Sequence, residues 1–174
     1  MDFEILIMLL PIIFMIHDFE EIIFFKKWIE KNEKELISRF PKIGKKISSH
    51  LNKISTASFT VGVAEEFLII SIVTILSLVT KEYNLWYGIF IGFSLHIIVH
   101  IIQWIIFGKY IPSIITSFLV LPYCLYTFLK INNQEVLSIS DQIVWGILGF
   151  ILVVVNLIFV HFLILKFEKN IQNK

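Results

Sequence analysis

The chain has 174 residues, 57% hydrophobic and 17% charged, with a formal net charge of +1 and a mean hydropathy of +0.83. Soluble domains run at roughly 45–50% apolar and about 25% charged residues, so this composition excludes an ordinary water-soluble enzyme. A lone cysteine, Cys124, excludes an internal disulfide and a cysteine-based metal cluster.

Apolar runs at about 5–25, 58–80, 85–107, 113–130 and 141–165 are each near the ~20 residues needed to cross a bilayer. They predict one all-α membrane domain over residues 1–174, a bundle of five transmembrane helices. The first run follows Asp2 and Glu4 rather than basic residues and lacks a small-residue cleavage site, so it reads as a retained helix, not a signal peptide. It carries His17, Glu20 and Glu21 at i, i+3 and i+4, on one helical side. Asp18 is turned about 100° away, as a supporting or interfacial group.

Residues 26–57 form the long connection. Leu36, Phe40, Ile43, Ile47, Leu51 and Ile54 recur there at three- and four-residue spacing with lysines between them, predicting a basic amphipathic helix restarted at Pro41. Such a segment suits the cytoplasmic headgroup layer and anionic lipid headgroups, either as an anchor or as a lid over a lipid-facing site.

The second run holds Glu65 and Glu66, with Ser58 and Gly62 as small residues that let helices approach. The third holds His96 and His100 on a stripe with Gly92 and Gln103. The fifth holds His161, a possible ligand, and Asn156, a possible partner to one. The turns between the later spans are short. Nine of the fifteen basic residues lie between Lys26 and Lys53, and thirteen fall on the side of the bundle shared by the first and third connections and the C-terminus. The positive-inside rule then places the N-terminus outside and the C-terminus in the cytoplasm. Trp28, Trp86 and Trp145 fall near span ends, where an interfacial belt is expected.

Ionisable groups in the middle of a span cost roughly 2.5–3.5 kcal/mol each on insertion scales and mark function by default. Counting residues to the basic end of each span puts His17, Glu20, Glu21, Glu65, Glu66, His96 and His100 in one layer about 10 Å deep. Carboxylates gathered at low dielectric need protons or a cation between them. Imidazole and carboxylate together suit zinc or iron, and helical His/Glu pairs are how bundles build metal sites. The expected ligands are His17, Glu20, Glu21, Glu65, His96, His100 and His161, around one or two divalent ions, with Glu66 as a catalytic base.

The segment His17-Asp18-Phe19-Glu20-Glu21 resembles the HXXEE domain family of small bacterial membrane proteins. Ala64-Glu65-Glu66, His96-Ile97-Ile98-Val99-His100 and Tyr110-Ile111-Pro112 with Thr116 are similar to later elements of that family, so the likeness covers residues 1–130. Ser113 stands where that pattern has a glycine. The resemblance implies an intramembrane metal site and says little about substrate. Neither His-Glu-x-x-His nor Glu-Glu-x-x-x-Arg is present, which argues against two common classes of membrane protease. A soluble nucleic-acid fold is not apparent, so no nucleic-acid partner is expected.

Three function classes follow. The first is a metal-dependent membrane enzyme acting on a lipid or other amphiphile, hydrolytic with one ion and oxidative with two irons. The second is a small transporter of protons or divalent metal. The third is a non-enzymatic immunity or interaction protein with a structural metal.

Overall fold

The computed structural model describes residues 2–173, and among these every regular element is an α-helix. The order is α1 (Phe3–Arg39), α2 (Pro41–Leu51), α3 (Thr56–Thr80), α4 (Asn84–Phe107), α5 (Ile114–Asn133) and α6 (Ile139–Gln172).

Four of these helices, α3 to α6, are long and apolar enough to cross a membrane, not five as the apolar runs predict. The physical reason is local. Asp18, Glu20 and Glu21, joined by Glu4 at one end and Lys26 at the other, keep α1 too polar for that class. Yet α1 runs the full length of the bundle. Its start meets the α3–α4 turn through an ion pair between Glu4 and Lys81 at 2.6 Å. Further along, Trp28 Nε1 donates to the Tyr110 carbonyl at 2.7 Å, and Arg39 donates to the carbonyls of Ile106 and Phe107. One side of α1 buries Leu6, Ile7, Leu10, Phe14 and His17, while Met8, Ile12, Phe19 and Ile23 are exposed. On α6 most apolar side chains point outward. An apolar surface of this extent suits lipid rather than water.

The connection expected at residues 26–57 divides differently. Helix α1 continues through Lys26–Arg39, supported by Lys26–Glu30 and Glu35–Arg39 pairs one turn apart. Proline at the first position then starts α2. Gly44 lets α2 fold back against the carbonyl of Leu36, where a Cβ would collide. Glu33 ties the two together by accepting from Ser48 Oγ at 2.5 Å and Asn52 Nδ2 at 2.9 Å.

Helix α6 crosses the bundle obliquely. Near its start it lies on α4, where Gly149 touches the backbone of Gly88 and Val153 sits over Gly92. This small-xxx-small pair is the usual device for close helix approach in lipid. Further along, α6 leaves α4 for α3: Asn156 meets Glu65, Val160 and Ile164 cover Gly62, and Glu168 accepts from Ser55 and Ser58. A wedge is left between α4 and α6 towards the basic end. Trp86, expected at an interface, is instead fully buried in the core.

Candidate metal centre

His17 is fixed from two directions. It is fully buried on α1, and its Nδ1 lies 3.3 Å from Thr116 Oγ1. That hydroxyl has one proton, and its shortest acceptor is Glu20 Oε2 at 2.7 Å. With the proton committed to Glu20, Thr116 Oγ1 accepts from His17 Nδ1–H. The tautomer assigned by this network leaves a lone pair on Nε2, an atom that is buried and has no partner. A hydrogen bond on the far nitrogen that fixes the tautomer is the usual support for a metal-bound histidine.

His96 and His100 come from α4, one turn apart, with their Nε2 atoms 2.9 Å from each other. The three imidazoles enclose a common point. Ring centroids are 5.3 Å apart for His17–His96, 5.2 Å for His17–His100 and 4.4 Å for His96–His100. One nitrogen from each histidine lies within 4.8 Å of the others. Zinc–imidazole bonds of about 2.0–2.1 Å require tetrahedral ligand nitrogens roughly 3.3 Å apart, so the His96 and His100 Nε2 atoms would part slightly and His17 adjust towards them for the set to meet on an ion. His100 Nδ1 is a second buried nitrogen without a partner. Each unsatisfied buried group costs about 1–3 kcal/mol. The buried, unpartnered nitrogens of His17 and His100 are compatible with a divalent cation at this cluster.

The carboxylates divide into two groups. Glu20 is buried and turned to the start of α5: Tyr110 Oη donates to it at 2.8 Å, Ile115 N at 3.4 Å, and Thr116 N and Oγ1 each at 2.7 Å. Helix α5 has no side-chain cap of its own, and Glu20 supplies the acceptor that its first amides need. The turn before α5 forms although Ser113, with φ of 72°, occupies the left-handed region that costs a non-glycine residue roughly 1–2 kcal/mol. Its carbonyl accepts from Ser117 N at 2.8 Å and Ser117 Oγ at 2.6 Å, which holds the strained residue in place.

Asp18, Glu21 and Glu66 form the second group. They line a cavity of about 1000 Å³ together with His96 and His100, and they are close enough to repel one another electrostatically. Asp18 is buried, and its Oδ2 has no partner. Glu65 takes a 3.2 Å hydrogen bond from Asn156 Nδ2. His161 lies at the rim of the same cavity, stacked on His50 with centroids 5.4 Å apart and its Nδ1 2.7 Å from the Leu157 carbonyl. It does not join the three clustered histidines.

Of the residues singled out from sequence, the fold thus gathers His17, His96 and His100 at one point, and Glu21 and Glu66 line the same cavity as His96 and His100. Glu20, Glu65 and His161 are engaged elsewhere. Sequence reasoning passed over the place of Thr116 and the inward aim of Asp18. The uncapped start of α5, opposite a carboxylate on α1, was the signal for Thr116.

The family model described as "Protein of unknown function with HXXEE motif" matches residues 8–127. Those residues take in every member of the histidine cluster and both groups of carboxylates. No curated protein and no solved structure matches the chain.

Proposed function

The chain belongs to the HXXEE family, and from that premise we propose that it is a membrane metalloenzyme whose substrate is a lipid or similar amphiphile. The observation that carries the reading is the cluster of His17, His96 and His100, two of them buried with an unpartnered nitrogen each, beside a large, mostly apolar cavity that His96 and His100 line. In this reading the trio holds a divalent ion, zinc or iron, and Asp18, Glu21 and Glu66 offer oxygen ligands or proton acceptors on the other side. A divalent ion held there supplies a Lewis acid that polarises a carbonyl or phosphoryl oxygen and acidifies water.

Glu66 is the proposed general base. It sits on α3 across from the histidine-bearing helix and is half-buried at the cavity wall, where a carboxylate can accept a proton from a nucleophilic water. With one ion the reaction is hydrolytic. In this reading the basic end of the bundle faces the cytoplasm and the start of α1 the outer side. The cavity wall also favours an enzyme over a transporter. Away from the basic end it is built of Phe14, Ile70, Val73, Leu85, Ile89 and Leu152, an apolar lining with no ionisable side chain to pass an ion onward.

The test is to incubate purified, metal-loaded protein with a total membrane lipid extract and follow lipids by mass spectrometry. A lipid consumed by wild type and spared after chelation is the expected result. Glu66→Gln is expected to lose about 10²–10⁴-fold in rate while keeping its metal. Turnover unaffected by chelation or by Glu66→Gln would overturn the reading.

A further inference from the structure

The cavity has a shape, a charge pattern and an opening that go beyond the presence of a metal. On α4 its wall runs from Leu85 to Phe107, about 33 Å by helical rise, comparable to the thickness of a bilayer core. The histidines divide that length unequally. From Leu85 to His96 the wall extends about 16 Å, and from His100 to Ile106 about 9 Å.

The opening lies where α6 parts from α4. Val99 and Ile106 on α4 and Leu157 and His161 on α6 all line the cavity and are exposed. They flank the gap left when α6 crosses to α3, an opening at the side of the bundle that would face lipid in a bilayer. Helix α2 closes the basic end of the wedge. Its Ile43 and Ile47 line the cavity, and Lys42, Lys45 and Lys46 stand exposed beside them.

We infer that the cavity takes one anionic long-chain lipid from the leaflet on the basic side, entering between α4 and α6, with its acyl chain along the apolar wall and its headgroup against the α2 lysines. Charge complementarity commits the choice. Each lysine near a membrane surface contributes about 1 kcal/mol toward an anionic headgroup, and three stand exposed on α2, the helix whose Ile43 and Ile47 line that end of the cavity. A lipid so placed keeps the orientation it has in its leaflet and brings the bonds joining chain to headgroup level with His96 and His100. The inference rests on the reading above for the orientation of the bundle, but lipid retention and metal content are separable.

The experiment is native mass spectrometry of the full-length protein in detergent, titrated with phosphatidylglycerol or phosphatidylcholine. One phosphatidylglycerol retained per chain, at least about tenfold more tightly than phosphatidylcholine, is expected. Replacing Lys42, Lys45 and Lys46 together by Gln should erase the preference, and Val99→Trp with Leu157→Trp should reduce retention. His17→Ala should lose metal and keep the lipid, which separates failure of the metal reading from failure of this one. Independently of any variant, phosphatidylglycerol bearing a diazirine at the chain end should label wild-type residues near Ile89 and Val153. Equal retention of the two lipids, or labelling confined to outward-facing positions such as Ile105 and Phe159, would overturn the inference.

Discussion

Thr116 joins the two halves of the family motif. Its hydroxyl donates to Glu20 and stands beside His17, so one side chain sets the tautomer of a proposed ligand and fastens α1 to the start of α5. Thr116→Val keeps the shape and removes the hydroxyl. Metal affinity should fall about 10–100-fold, the usual effect of losing a partner that orients a ligand, and Thr116→Ser should restore most of it. Isothermal titration with zinc measures both. At this scale the sequence was informative about residue type and depth: buried charge is so costly that its presence alone singled out His17, His96 and His100. It was less informative about partners. Whether Glu20 points to an ion or to a helix start depends on where α5 begins, and that is set by the turn at Ser113 rather than by spacing along α1.

Helix α2 is where local pattern and tertiary role agree most closely. The stripe of Leu36, Phe40, Ile43, Ile47, Leu51 and Ile54 shares one side, as its periodicity predicts, and that side lines the cavity. What periodicity did not show is that α1 continues to Arg39, since Lys26–Arg39 is rich in charges of both signs and only Ile29 and Leu36 are buried along it. The contact of α2 with α6 is made in part by His50 stacked on His161. Burial, then His161 and Lys53, lowers the His50 pKa below its ordinary 6.5. A histidine depressed in the folded state binds fewer protons there than when released. Its docking is therefore at full strength above about pH 6.5 and weakens as pH falls through that value towards the folded pKa. Spin labels at Ser49→Cys and Lys166→Cys in a Cys124→Ser background should report a longer or broader distance distribution at pH 5 than at pH 7.5. His50→Gln should flatten the difference. A distance unchanged across this range in the parent would contradict the assigned role of His50.

For the molecule as a whole, composition was enough to indicate an all-α membrane bundle, and hydropathy placed four of its helices to within a few residues at most boundaries. The first apolar run is a different object: a helix made more polar by Asp18, Glu20 and Glu21, packed along α3, α4 and α5. The crossing of α6 from α4 to α3 was not legible, because Gly88, Gly92 and Gly149 define a close contact only when two helices are seen together. The proposed orientation rests on the collection of lysines at one end. In intact cells a membrane-impermeant maleimide should label Glu82→Cys but reach Lys46→Cys only after permeabilisation, again in the Cys124→Ser background; the reverse pattern would invert the bundle.

The central claim is that the three histidines hold a metal, and elemental analysis of freshly purified protein tests it most directly. Wild type should contain at least one zinc or iron per chain. His17→Ala and His100→Ala should each lose it, and His161→Ala, altered at the cavity rim, should retain it. Wild-type protein free of transition metal, or metal content unchanged in both His17→Ala and His100→Ala, would contradict the account.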